Sequence, residues 1–182
     1  MAKKVIKKAT TPSRKLEPKI YLKRIVRKMI LKESAILEEP DVPKMEFYFK
    51  VQPIKKVSKS PSIYIFKPIK EDFIELGCKI SISEPHLNIF KSNPEKQEKI
   101  YTEIKRICLI KNVVFILQPN FFVLLDRIYL ESNKELSMNQ YRKTFRNVFN
   151  TIIYALDLFK NIGSTPIIEI DDLIRGDPSL YT

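Results

Sequence analysis

An α+β fold is predicted for this chain, with an antiparallel sheet of about five strands, helices packed on one side of the sheet and a flexible basic N-terminal arm. Three observations predict it. Short runs that alternate between apolar and polar residues indicate strands, longer amphipathic runs indicate helices, and the runs follow one another in the order α-β-β-β-α-β-β-α. Helices packed on one face of an antiparallel sheet bury all of these apolar surfaces.

The first helix is predicted over residues 20–37, where basic residues take one side and apolar residues recur on the other at helical spacing. The apolar residues are Leu22, Ile25, Val26, Met29, Ile30 and Leu37. Pro40 and Pro43 follow. The prolines end the helical region because proline lacks the amide hydrogen and clashes with the preceding turn.

Three strands are predicted next, over residues 45–51, 62–67 and 73–83. The first alternates cleanly between apolar and polar side chains, which is typical of a half-buried strand. Gly77 suggests a bulge in the third. A group of three aromatic residues (Tyr48, Tyr64 and Phe66) is interpreted as packing within the sheet. Base stacking on an open sheet face is the alternative, but the glycine-aromatic pattern of an RNA-recognition motif is absent.

The second half of the chain begins with a short helix near Ser83 and a longer one that starts at Asn93 and Pro94 and ends near residue 110. Strands are predicted over residues 113–117 and 122–130. The last helix has the clearest signature, since Ser137 and Gln140 form a capping box and Gly163 supplies a stop. Its buried stripe comprises Tyr141, Phe145, Val148, Phe149, Ile152, Leu156 and Phe159.

Two stretches of local sequence, "SIYIFKPIKEDFIELGCKISISEPH" and "RIYLESNKELSMNQYRKTF", resemble an uncharacterised, mainly archaeal domain family. The element order resembles the type III secretion chaperone-like fold. The resemblance covers about residues 20–160 and implies no established activity. It does imply protein binding and frequent dimerisation, which are properties of relatives with that fold. The basic arm is an addition to the pattern and argues against a purely chaperone-like function.

The positive charge of the chain is concentrated at its beginning. The 182 residues carry 33 Lys and Arg against 21 Asp and Glu, a net charge of +12, and residues 1–32 alone contribute +11 of it through twelve basic residues and one acidic residue. Three segments are predicted from this distribution: a disordered basic arm over residues 1–19, a single α+β domain over residues 20–162 and a C-terminal tail over residues 163–182.

Phosphate binding by the arm and the first helix is the favoured interpretation of this charge. The candidate nucleic-acid-binding residues, including two from the loop after the first strand, are Lys3, Lys4, Lys7, Lys8, Arg14, Lys15, Lys19, Lys23, Arg24, Arg27, Lys28, Lys55 and Lys56. Arg142, Lys143 and Arg146 on the last helix suggest a second basic patch. The alternatives are a solvated, solubilising face and an anionic membrane surface, although a membrane-surface helix usually carries large aromatics on its apolar face.

Catalytic chemistry has little support in the sequence. Only three glycines are present, far apart, so no phosphate-cradling nucleotide motif can be assembled. His86 is the only histidine, and Cys78 and Cys108 are not closely spaced. We therefore expect His86 to be structural, both cysteines to be buried, and no catalytic residue, metal or cofactor. No apolar run approaches the length needed to span a membrane, so a cytoplasmic location without membrane contact is expected.

The tail is too apolar for an ordinary solvated terminus. Its candidate protein-docking residues are Ile168, Ile170, Leu173 and Ile174. Docking on a partner protein and packing on the chain's own domain both remain open.

Together, the basic arm, the apolar tail and the lack of catalytic motifs favour a structural or accessory component of a nucleoprotein machine that binds RNA more readily than DNA and contacts other subunits. The ribosome is the first choice and a polymerase or chromatin complex the second, with a dimeric protein-binding adaptor or chaperone as the alternative.

Overall fold

Six antiparallel strands and four helices are present in the computed structural model, which describes residues 18–53, 61–131 and 136–162. In chain order the elements are α1 (Pro18–Glu33), β1 (Ser34–Glu38), β2 (Met45–Pro53), β3 (Ile63–Pro68), β4 (Phe73–Ser81), α2 (Glu84–Ser92), α3 (Pro94–Lys111), β5 (Val114–Leu117), β6 (Phe121–Tyr129) and α4 (Met138–Lys160). The strands lie in the order β1-β2-β3-β4-β6-β5. The predicted α+β class is confirmed.

The predicted first helix is too long, and the strand that follows it was missed. Helix α1 ends at Glu33, and residues 34–38 form β1, in which Ile36 pairs with Val51 of β2. Leu37 fits the helical spacing of the sequence by coincidence, because its side chain is exposed on this strand. Pairing with β2 decides the outcome, since it satisfies the backbone groups of a five-residue segment that is too short to show a period of its own.

The hydrophobic core lies between the helices and one face of the sheet. Helix α1 buries Leu22, Val26 and Ile30, which belong to the same cluster as the inward residues of β2. Helix α4 buries a longer stripe that faces β4 and β6. Phe149, which was predicted to belong to this stripe, is only partly buried and lies at its margin.

Local signals explain where the long helices begin. The Asn93 side chain accepts a hydrogen bond from the Lys96 amide at 3.0 Å, and Pro94 opens α3. In α4 the Ser137 hydroxyl accepts from the Gln140 amide at 3.0 Å while the Gln140 side chain accepts from the Ser137 amide at 3.2 Å, so the predicted capping box is confirmed. The helix ends at Lys160, and the predicted stop Gly163 lies outside the described residues.

Gly77 does not form the predicted bulge. The pairing of β4 with β6 runs without a break through Gly77 and Leu125. A Cβ atom at residue 77 would lie 3.0 Å from both the Leu124 carbonyl oxygen and the Leu125 Cβ. Glycine is therefore required here by the close approach of β6, not by an extra residue in the strand.

The sheet face turned away from the helices carries its own apolar cluster. Tyr48 of β2 lies beside Tyr64 and Phe66 of β3, with ring centroids 5.5 and 6.1 Å away respectively, and Val42 and Met45 complete the cluster. All three rings are almost fully buried. The structure thus agrees with the packing interpretation of these aromatic residues.

Candidate nucleic-acid interface

The cations of α1 point away from the core because the helix has two opposite sides. Leu22, Val26 and Ile30 are spaced four residues apart on the buried side. Arg24, Lys28 and Lys32 follow the same spacing about half a turn away, and all three are exposed. Burial of the apolar side therefore fixes a line of positive charge on the outer side of the helix.

Two further predicted residues of α1 share one carboxylate. The Lys23 Nζ lies 2.9 Å from Glu39 Oε1, and the Arg27 Nη1 lies 2.8 Å from Glu39 Oε2. Glu39 comes directly after β1, so the strand that the sequence did not reveal also positions this acid. One carboxylate neutralises only one of the two cations. Ion pairs this exposed contribute roughly 0–1 kcal/mol each, so a phosphate can replace Glu39 as the partner of these cations at little cost in free energy.

Helix α4 adds basic residues near the end of α1. The Arg142 Nε lies 2.6 Å from Glu33 Oε1, which joins the first turns of α4 to the last residue of α1. Arg146 is exposed one turn further along the same side of α4. We call Arg24, Lys28, Lys32, Arg142 and Arg146 the basic face. Lys143, which was grouped with the α4 residues, instead lines a groove beside Asp126.

Most of the other predicted interface residues lie outside the described ranges. The predicted nucleic-acid-binding residues outside the described ranges are Lys3, Lys4, Lys7, Lys8, Arg14, Lys15, Lys55 and Lys56. The predicted protein-docking residues outside those ranges are Ile168, Ile170, Leu173 and Ile174. Lys19 belongs to the first turn of α1.

His86 has the structural position that the sequence predicts. It lies fully buried in the first turn of α2. Its Nε2 lies 3.2 Å from the Phe159 carbonyl oxygen, which can only accept, so Nε2 donates; the Nδ1, 2.6 Å from Ser83 Oγ, then accepts from that hydroxyl. The ring joins the start of α2 to the end of α4.

The two cysteine thiols are buried, as predicted. Burial raises the pKa of Cys78 to about 12 and the pKa of Cys108 to about 11. Both thiols therefore stay protonated at neutral pH, and the thiolate that would act as a nucleophile or metal ligand is scarcely populated. They pack as small apolar residues in the core.

Comparison with known proteins places the domain in a family. Residues 22–159 match the family described as "Uncharacterized conserved protein (DUF2299)". The chain belongs to this family. The matched region begins within α1 and ends within α4, so it includes the whole basic face and excludes both the first 21 and the last 23 residues of the chain.

A solved structure supports the fold of this DUF2299 domain. The crystal structure of an uncharacterized protein from Methanothermobacter thermautotrophicus superposes with a TM-score of 0.64 at 19% sequence identity and covers 78% of this chain and 99% of its own. At that identity the likeness establishes the fold alone. Comparison with curated proteins gives no match.

The DUF2299 domain also exposes an apolar edge that sequence reasoning missed. Strand β5 is the last strand of the sheet, and Val114 and Leu117 on it are exposed. Leu109 and Ile110, at the end of α3 just before β5, are 83% and 68% exposed. The available signal was that these two residues fall outside the buried stripe of α3, which uses Ile100, Ile104 and Cys108.

None of the described helices is both long and apolar enough to cross a membrane.

An ion pair on the sheet between a buried glutamate and a half-buried arginine was missed as well. The Arg127 Nε lies 2.8 Å from Glu75 Oε2, and the guanidinium lies over the Phe73 ring at 4.5 Å. Burial raises the pKa of Glu75, while the hydrogen bond and charge of Arg127 lower it. These residues alternate with apolar neighbours along β4 and β6, so the pattern of the sequence indicates only their face and not their pairing.

Proposed function

We propose that the protein is a non-catalytic, nucleic-acid-associated protein that contacts phosphates through its N-terminal residues and the basic face. It serves as a structural or accessory component of a cytoplasmic nucleoprotein machine, the ribosome first and a polymerase or chromatin complex second, and it favours RNA over DNA. One observation carries the proposal: residues 1–32 hold +11 of the net charge of +12, and the fold turns the α1 cations outward.

The arrangement of the basic face suits a polyanion better than a small anion. Arg24, Lys28 and Lys32 extend over about 12 Å of helix at the usual rise per residue. They follow one another along the outer side of the helix, and neither the groove beside Asp126 nor the groove beside Lys79 is lined by any of them, so their spacing suits a charge that is repeated along a strand. Neutralising such a strand releases its counterions, which makes binding strongly salt-dependent but largely independent of sequence.

Neutralising the three α1 cations of the basic face is the first test. We expect the variant Arg24→Gln/Lys28→Gln/Lys32→Gln to bind a single-stranded RNA more weakly than the parent, with a shallower dependence of log affinity on log salt concentration. The slope should fall by roughly 0.7 for each phosphate that the variant no longer neutralises on a single strand, and by roughly 0.9 on duplex DNA. Fluorescence anisotropy titrations at several salt concentrations measure it.

A control with the same loss of charge separates local binding from overall attraction. Lys91, Lys99 and Lys105 are exposed on α2 and α3, and their replacement by Gln also removes three charges. The slope should then stay close to that of the parent. Equal slopes for both triple variants would mean that net charge, and not the basic face, drives binding. Comparison of RNA with DNA of the same length tests the stated preference.

We propose a dimeric protein-binding adaptor, of the type III secretion chaperone-like fold, as the alternative function. The exposed apolar edge at β5 favours it. An unprotected edge strand is a template for pairing with another strand. The opposite edge, β1, is protected, because its register shifts between Ile36 and Glu38 and Glu38 is ion-paired with Lys50. The occupant of the β5 edge would be a second copy, since antiparallel pairing of β5 with itself brings uncharged, apolar residues together.

A lysine on the β5 edge tests this alternative. We expect Val114→Lys to convert a dimer into a monomer, because pairing would bring two lysines onto one face of a continuous sheet. The mass from light scattering during size-exclusion chromatography measures the change. Ala35→Lys, at an exposed residue of the protected edge strand β1, is the control and should leave the mass unchanged. A monomeric parent would remove the support for the adaptor function.

A further inference from the structure

The outer side of α1 carries an exposed aromatic ring among its cations. Tyr21 is 56% exposed. Arg24, Lys28 and Lys32 are exposed as well. Residues three, seven and eleven positions after Tyr21 return to nearly the same side of a helix, so the ring and the three cations form one line along it. We call these four residues the outer stripe of α1.

The buried side of α1 fixes the direction in which this ring points. Leu22, Val26 and Ile30 are buried in the hydrophobic core, with Val26 in the middle of the buried side. Tyr21 and Val26 are five positions apart, which is about 140° around the helix. Burying the ring of Tyr21 would require α1 to rotate and to expose Leu22 or Ile30. The packing of α1 therefore keeps the ring on the surface, beside the cations.

We propose that Tyr21 stacks on an unpaired base of a single-stranded nucleic acid whose phosphates are bound by the cations of the outer stripe. The inference rests on the phosphate binding proposed above and narrows its ligand to single strands. In a duplex the paired bases stack on one another, so a tyrosine outside the duplex does not reach their faces. In a single strand those faces are open, and aromatic side chains commonly bind them by stacking.

The spacing of the outer stripe suits contacts to one base and to several phosphates. Arg24 lies three positions after Tyr21, and Cβ atoms at that separation on a helix are about 5–6 Å apart. A base and the phosphate of the same nucleotide are separated by one sugar, so Tyr21 and Arg24 can bind the same nucleotide. Lys28 and Lys32 continue the stripe in steps of about 6 Å along the helix axis, toward the phosphates that follow.

Other exposed apolar residues of α1 do not form a patch with Tyr21. Ile20 and Leu31 are 51% and 55% exposed. They are eleven positions apart, which is about 16 Å along the helix. Insertion into a membrane surface needs a continuous apolar side along the helix. Cations, and not apolar residues, continue the line that Tyr21 begins, which favours a phosphate strand over a lipid surface as the ligand.

A tryptophan in place of Tyr21 gives a direct readout of stacking. The chain contains no tryptophan, so Tyr21→Trp introduces a single indole, whose fluorescence is quenched when a base stacks on it. We expect a short single-stranded RNA to quench the full-length variant strongly, and a duplex of the same sequence to quench it little. Tyr129→Trp is the matched control, because Tyr129 is 69% exposed but lies on β6. Its fluorescence should not respond to either RNA.

Replacing the ring separates stacking from charge. We expect Tyr21→Ala to weaken binding of the single-stranded RNA about 5- to 100-fold, which corresponds to the loss of one stacked base. Tyr21→Phe keeps a ring and should bind as the parent does. Neither substitution changes the charge of the protein, so the dependence of log affinity on log salt concentration should keep its slope. Affinity for the duplex should not change. Fluorescence anisotropy with labelled RNA measures all of these quantities.

Three outcomes would overturn the proposal. Equal losses of affinity for the single strand and the duplex in Tyr21→Ala would show that Tyr21 does not contact a base face. A change in the fluorescence of Tyr21→Trp with vesicles of phosphatidylserine, but not with RNA, would assign the outer stripe to a membrane surface. If Tyr21→Ala binds RNA as the parent does while Arg24→Gln/Lys28→Gln/Lys32→Gln loses salt dependence, stacking is excluded and the phosphate binding stands.

Discussion

Replacing Phe159 with alanine is expected to lower the free energy of unfolding by about 3–5 kcal/mol. The side chain is fully buried, and its ring contacts three others: Phe122 at 5.6 Å, Phe90 at 5.8 Å and His86 at 5.5 Å between centroids. These neighbours belong to β6 and α2, two elements fixed by their own packing. The cavity cannot collapse without moving both, so the loss should lie near the upper end of the range. Urea unfolding followed by circular dichroism measures it.

The matched control for Phe159→Ala is the same substitution at Phe149. Both residues lie on α4, but Phe149 is only partly buried and stacks on Phe145 at the margin of the stripe, with centroids 6.4 Å apart. Alanine there removes less apolar surface and leaves an indentation open to water, not a closed cavity. We expect less than half the loss seen at Phe159. Losses of equal size would contradict the burial assigned to the two sides of α4.

The contrast between these two residues shows what a helical pattern can predict. Helix α4 is 23 residues long and carries both a capping box and a regular apolar stripe, so its start and its buried side follow from the sequence. Phe149 fits that stripe by residue type. Its partial exposure depends on which elements lie beside that part of α4, and the spacing of residues along one helix holds no information about its neighbours.

The first strand shows why short elements escape sequence reasoning. Residues 34–38 follow α1 directly, and the apolar residues Ile36 and Leu37 continue its pattern well enough to be read as helix. A five-residue segment spans little more than one helical turn, so its period is undefined. What determines its conformation is pairing with β2, residues 50–53, and that partner is identified only when the chain is folded.

The candidate interface also has one part that could be predicted from the sequence and one part that could not. The amount and location of its charge could be predicted because they depend on residue type alone. Which cations are already engaged could not, because Glu39 reaches Lys23 and Arg27 only after β1 forms, and Glu33 reaches Arg142 across 109 positions of sequence. The exposed cations of α1 that make no ion pair within the described residues, Arg24, Lys28 and Lys32, are therefore a better target for mutation than the full set of basic residues.

Breaking the buried ion pair between Lys67 and Glu46 is the second change that is expected to lower the free energy of unfolding by a large amount. The Lys67 side chain is 1% exposed, and its Nζ lies 3.0 Å from Glu46 Oε1. The same ammonium group donates to the carbonyl oxygens of Pro68 at 3.2 Å and Glu71 at 2.6 Å. The sequence placed Lys67 only as the last residue of a strand, since nothing in its spacing indicates that a lysine is buried.

Replacing Glu46 with glutamine should lower the free energy of unfolding by about 3–5 kcal/mol, because it leaves a buried ammonium without its counter-charge. Lys67→Met should cost a similar amount, because it leaves the Glu46 carboxylate and the carbonyls of Pro68 and Glu71 buried without that donor. The double variant removes both charges, so its loss should be smaller than the sum of the two single losses. Urea unfolding of all four proteins gives this coupling free energy directly. Additive losses would show that the two side chains are solvated independently and that their charges do not stabilise each other in the folded domain.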